Sequence, residues 1–133
     1  MHILTLLLSF MCLLLPSASS AEDSSNLIYN GDFEQIDSSG IPDGWYTESW
    51  FTSEGYTVYG TESGMDGGNA ATIHNLGSND ARFAQTVSVE PDALYKLSGY
   101  IRASEIPDAG WGANLSIEGL YAYTDGLYDT HDQ

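Results

Sequence analysis

Several side chains in the second half of the chain are spaced to hold a polar, ring-shaped ligand. Tyr100 and Arg102 alternate within residues 95–102, and Asn114, Ser116 and Glu118 alternate within residues 111–118. Successive side chains of a strand point to opposite faces, so each set would share one face. An aromatic ring offers a flat apolar surface, while amide, carboxylate and guanidinium groups offer directed hydrogen bonds. Together they can stack on the C–H face of a saccharide and take its hydroxyls. The patch forms if the two strands are neighbours in a concave sheet; the same alternation also fits a solvated convex face. Trp50 and Tyr56 flank a loop tip where further binding aromatics could stand. Tyr121 and Tyr123 share a face near the end of the chain. Trp45, in Pro42-Asp43-Gly44-Trp45, reads as core, and Trp111 reads as a core residue at the start of a strand.

Other chemistries find less to work with. Asp32 and Glu34 sit at a polar turn, where carboxylate and backbone oxygens suit Ca²⁺. Glu62 and Asp66 of a glycine-rich stretch could contribute, and ordinary turn acids are the competing account. His74 and His131 are far apart, and a zinc site needs more ligands. A glycosidase needs two facing carboxylates, but 19 acids in 133 residues make chance pairs unavoidable. There is no Gly-x-Ser-x-Gly nucleophile motif. Any catalysis would belong to a domain outside this sequence.

The elements that must position these residues are bounded by composition. The length fits one domain. With three bases against 19 acids, the net charge of −16 repels phosphate backbones and argues against nucleic-acid binding. Nine Tyr and three Trp are too many for an acidic disordered chain, so the chain should fold. Residues 1–21 read as a signal peptide: an apolar run over residues 3–15, too short to span a membrane comfortably, ends in small residues. Cleavage after Ala21 would leave residues 22–133 as one secreted, extracellular module with no membrane attachment. The stretch before the run carries no Lys or Arg, and the competing reading is a membrane anchor. Cys12, the single cysteine, lies inside the run, so the mature chain would have no thiol for disulfides or metals.

Past the leader the pattern is β throughout. Strands are expected at residues 27–29, 45–51, 56–59, 70–74, 81–89, 95–102 and 111–118, with a short extended piece around Phe33. A loop is expected at residues 35–44. Residues 60–69 contain four glycines and read as a long surface loop. Phe83, Gln85, Val87 and Val89 share one face of the clearest strand; Ala113, Leu115 and Ile117 point inward by parity. Short strands between Gly and Pro turns give an all-β sandwich or barrel.

The order Asn26-Leu27-Ile28-Tyr29-Asn30-Gly31-Asp32-Phe33-Glu34, then Pro42-Asp43-Gly44-Trp45, resembles the opening of the CenC-like carbohydrate-binding modules. Phe83-Ala84-Gln85-Thr86-Val87-Ser88-Val89 and Tyr95-Lys96-Leu97-Ser98 are similar to later strands of that family. The resemblance runs from Asn26 to about Gly119. It implies a galactose-binding-like jelly-roll β-sandwich that binds polysaccharide or oligosaccharide without catalysing its cleavage, in a secreted, glycoside hydrolase-type protein. A neutral β-glycan such as xylan or β-glucan would be the ligand. In xylan-binding relatives a Tyr and a Glu hold the sugar chain, and Tyr100 and Glu118 are the matches. Related modules keep a structural Ca²⁺ near the first strand, with help from an acid in a final strand that has no counterpart here. Members usually continue for several more strands, so the resemblance implies a module incomplete at its C-terminus. The alternative is a cell-envelope adhesion or structural module of the same fold that binds no sugar, since fold alone does not fix function.

Overall fold

The β-branched and aromatic residues of the middle of the chain favour extended backbone, and the computed structural model, which describes residues 26–130, forms strands there. In order they are β1 (Tyr46–Ser49), β2 (Thr57–Ser63), a single 3-10 turn (Met65–Gly67), β3 (Asn69–Asn75), β4 (Ala81–Ala84), β5 (Ser116–Ile117) and β6 (Ala122–Tyr123). Three antiparallel pairs result: β1 with β4, β2 with β3, and β5 with β6. The fold is all-β, with small antiparallel sheets and no α-helix among the described residues. The leader, Cys12, the cleavage point after Ala21, and His131 lie outside those residues.

β1 and β4 run from Tyr46↔Ala84 to Ser49↔Ala81. Their Glu48↔Arg82 rung carries an ion pair at 3.0 Å. β2 and β3 run from Thr57↔Asn75 to Ser63↔Asn69. Half of the expected loop at residues 60–69 is therefore strand. Cross-strand hydrogen bonding continues until Gly64 N–H donates to Gly68 O at 2.7 Å, so only a tight turn remains. Tyr59 of β2 packs edge-on against Phe83 of β4, with ring centroids 5.4 Å apart, and its hydroxyl donates to Glu48 O of β1. β3 also lies beside β4. One aromatic side chain thus ties these two antiparallel pairs together.

Several expected extended segments form differently, among them residues 111–118, of which only Ser116–Ile117 is strand. Residues 27–29 do not enter a ladder. Asn26 Oδ1 accepts from Ile28 N–H at 3.0 Å, and the backbone turns through residues 28–32. Phe33 is not extended either; it stands at φ +60, a left-handed conformation rare for a bulky residue. Its ring packs on Trp45 at 5.2 Å. The strand expected over residues 81–89 ends at Ala84, because its partner β1 begins at Tyr46. The Gln85 side chain then takes over: Tyr29 N–H donates to Oε1 at 2.8 Å, and Nε2 donates to Tyr29 O at 3.0 Å and Gly44 O at 3.1 Å. Residues 95–102 acquire no ladder partner and form no strand.

Burial is confined, among the described residues, to Asn30 (7% exposed), Pro42 and Ala103 (4%). Inward parity therefore brings partial cover: Phe83, Gln85 and Val87 are half-buried, whereas Val89 and Ile117 are exposed. Asn30, at φ +49, holds the N-terminal turn together. Its amide donates to Gln35 O at 2.8 Å and Asp43 O at 3.0 Å, and its Oδ1 accepts from Gln35 N–H at 3.0 Å. Trp45 Nε1 donates to Asn30 O at 3.1 Å, so the half-buried Trp45 is structural, as its motif implied. Ala103 and Thr130 join the segment after Arg102 to residues 128–130 through Thr130 N–H to Ala103 O at 2.8 Å.

Candidate functional site

The β5–β6 hairpin builds an open concavity. Its rungs are Ser116↔Tyr123 and Ile117↔Ala122, followed by Thr124 N–H to Leu115 O at 2.9 Å. Ala113 and Leu127 then exchange both backbone hydrogen bonds, at 2.8 and 2.9 Å. Between these rungs Asn114 alone opposes Asp125 and Gly126, which is a β-bulge. Such a bulge bends the strand and re-aims its side chains. The Thr124 hydroxyl braces it, accepting from Leu115 N–H at 3.1 Å and donating to Asp125 O at 3.3 Å.

Two glycines let the backbones close at the bulge. A Cβ on Gly126 would lie 2.0 Å from Trp111 O, and one on Gly112 would lie 2.8 Å from Gly126 C. Gly112 also stands at φ +69, where side-chain-bearing residues are strained. That residue breaks the alternation of the strand. Trp111, inward by parity, instead meets Tyr123 edge-on, with centroids 6.0 Å apart and planes at 69°. Trp111 is 77% exposed. The Tyr128 hydroxyl donates to Gly110 O at 2.9 Å and fixes the backbone just ahead of Trp111.

The result is an open cleft of about 230 Å³ lined by Trp111, Tyr123, Tyr128, Asn114 and Asp125, among others. The Asn114 amide reaches only Gly112 O, at 3.5 Å, too long for a strong hydrogen bond. The Asp125 carboxylate has no partner among the described residues. None of the three basic residues lines the cleft.

The residues expected to bind lie in separate places. Asn114 is in the cleft. Tyr100 is 89% exposed, on a segment without a strand. Arg102 donates to Glu62 of β2 at 3.3 Å, so its guanidinium is engaged in an ion pair. Glu118 sits in the turn between β5 and β6. No hydrogen bond or ring contact joins Tyr100, Arg102 and Glu118. Trp50 is 79% exposed, and Tyr56 packs on Phe51 with centroids 5.6 Å apart. Their loop is held by Asn79: its Oδ1 accepts from Phe51 N–H at 2.9 Å, and its Nδ2 donates to Phe51 O at 3.1 Å and Thr57 Oγ1 at 2.7 Å.

At the N-terminal turn, Glu34 clamps the β2–β3 turn. Asn69 N–H donates to its Oε1 at 2.7 Å, and Asn69 Nδ2 to its Oε2 at 3.3 Å. Asp32 Oδ1 lies 3.5 Å from Glu34 N. Carboxylate oxygens keep further lone pairs, so these contacts are compatible with a cation. No three His, Cys, Asp or Glu side chains gather to hold a metal among the described residues. Backbone carbonyls and water would have to complete the roughly six to eight oxygens that Ca²⁺ takes. Nearby, the Ser39 hydroxyl and then Ile41 N–H hold the Asp37 carboxyl below its ordinary value. The Tyr29 phenol, donating to Asp43, is raised, first by that hydrogen bond, then by desolvation.

Trp111, Tyr123 and Asp125 are the residues that strand parity did not select. The signal was Gly112: a glycine directly after a strand-start tryptophan can reverse its facing.

The chain is all-β among its described residues and exposes aromatic rings beside amide and carboxylate groups. No protein-family model and no solved structure matches it. Among curated proteins it is similar to Exochitinase 1 of Streptomyces olivaceoviridis, with 35% identity over 92 residues. The match takes in 69% of this chain and 13% of that protein's length. No helix among the described residues is long and apolar enough to cross a membrane.

Proposed function

We propose that this chain is a non-catalytic carbohydrate-binding module of a secreted polysaccharide-active protein, of CenC-like, jelly-roll type, with a neutral β-glycan as ligand. The observation that carries this reading is the match to 13% of an exochitinase. A stretch that short, in a chain of small β-sheets, suits an appended binding module better than a catalytic domain. Exposed rings at Trp50, Tyr100 and Trp111 support it, because sugars stack on accessible aromatics. Xylan and β-glucan are candidate ligands. Chitin joins them through the relative's name, since it too is a neutral β-linked polymer. A net charge of −16 disfavours acidic polymers. The same reading places a structural Ca²⁺ at Asp32 and Glu34, beside the first turn.

Affinity electrophoresis through gels containing xylan, mixed-linkage β-glucan, glycol chitin or polygalacturonate tests the reading. Retardation by at least one neutral polymer, and none by polygalacturonate, is expected. Unretarded migration in every gel, by a chain shown to be folded, would leave a structural module without sugar binding.

A further inference from the structure

We infer that the bulged cleft of the β5–β6 hairpin is a subsite for one neutral pyranose unit, with Trp111 as stacking platform and Asn114 and Asp125 as hydroxyl partners. This rests on the carbohydrate-binding reading and deepens it by naming a place and a ligand class. Simple alternation would turn Trp111 inward. The chain instead uses a left-handed Gly112 and a Gly126 with no room for a side chain, and the indole stands outward.

The ring is also pre-set. Tyr123 meets it edge-on, and the Tyr128–Gly110 hydrogen bond anchors the backbone before it. A platform held in one orientation loses little freedom on binding. Opposite it, Asn114 can donate and accept, and Asp125 can only accept. Neighbouring sugar hydroxyls, each donor and acceptor, match that pair. The cleft of about 230 Å³ falls below the ~300 Å³ at which drug-sized pockets begin, so it takes one ring of a chain and leaves the rest outside. With a carboxylate in the cleft and no base lining it, uronate and sulfated sugars are excluded by charge. The subsite shares only Asn114 with the outward patch expected around Tyr100.

The test is a titration of the full ¹⁵N-labelled chain with xylo-, cello- and chito-oligosaccharides and with oligogalacturonate. The indole resonances are assigned through Trp111→Phe and Trp50→Phe. The Trp111 indole and the Asn114 side-chain amide should shift saturably with a neutral oligosaccharide and stay still with oligogalacturonate. Trp111→Ala should weaken binding about tenfold, equivalent to ~1.4 kcal/mol, while its unbound spectrum stays dispersed. Asp125→Asn should weaken it less and relieve the exclusion of oligogalacturonate. Neutral-sugar binding that moves Trp50 or Tyr100 resonances and leaves Trp111 unmoved would overturn the subsite and keep the module reading. Saturable oligogalacturonate shifts at Trp111 in the unaltered chain would overturn the neutral class. Binding of no oligosaccharide would overturn both.

Discussion

Asn30→Ala should be among the most destabilising single changes in the N-terminal half. The side chain is 7% exposed and makes three hydrogen bonds, to Gln35 O, Asp43 O and Gln35 N–H. At about 0.5–1.5 kcal/mol net per bond, their loss sums to ~1.5–4.5 kcal/mol. Gln35 and Asp43 are exposed and can recruit water, so the lower half of that range applies. Alanine at φ +49 adds roughly 1 kcal/mol of left-handed backbone strain. The expected loss is therefore about 2.5–4 kcal/mol, a large share of a stability that is about 5–15 kcal/mol in ordinary domains. Asn30→Gly removes the side chain and relieves the strain, and should be milder by about that 1 kcal/mol. Asn30→Asp keeps the acceptor but turns a carboxylate oxygen toward the Gln35 and Asp43 carbonyls, so it should be no milder than the alanine variant. Urea unfolding followed by tryptophan fluorescence reads the change directly, because Trp45 Nε1 donates to Asn30 O. An alanine variant within about 0.5 kcal/mol of the parent, the range of ordinary surface substitutions, would refute the idea that this turn organises the N-terminal half.

Gly126→Ala should break the Ala113–Leu127 pairing, since the new methyl would lie 2.0 Å from Trp111 O; protected Ala113 and Leu127 amides in hydrogen exchange would contradict the packing. If Asp32 and Glu34 hold Ca²⁺, calcium should raise the melting temperature relative to chelator, because a ligand that binds only the folded state stabilises it. The difference should shrink in Asp32→Asn, and superimposable melts of the parent would reject the site. Asp37 accepts from Ser39 N–H, Ser39 Oγ–H and Ile41 N–H, and its folded-state carboxyl titrates below the ordinary 3.8. A depressed carboxyl contributes stability above the ordinary value and loses it as pH falls through the folded one. The Ser39 and Ile41 amides should therefore exchange faster below pH 3.8, an effect that Asp37→Asn should remove.

Local chemistry was legible in the sequence wherever a residue acts on its near neighbours. Asn30-Gly31 announced a turn, Trp45 a structural ring, and residues 46–49, 57–59 and 70–74 extended backbone, because turn propensity and β-branching operate within a few residues; the strand at residues 60–63 was expected as loop. The all-β class follows from the same signals. What the sequence could not decide is which extended segment finds a partner. Residues 81–89 and 95–102 both alternate, yet a ladder needs a neighbour at hydrogen-bonding distance; β4 has β1 only as far as Ala84, and residues 95–102 have none. The same limit governs the site. Parity placed Tyr100, Arg102 and Glu118 on shared faces, but Arg102 is drawn to Glu62, 40 residues away in sequence, and Glu118 falls in a turn. Parity also turned Trp111 inward, and the left-handed Gly112 turned it out. Side-chain alternation is a property of one strand and can be counted along the chain. Pairing, bulges and long-range ion pairs depend on distances between segments, and only the tertiary structure sets those.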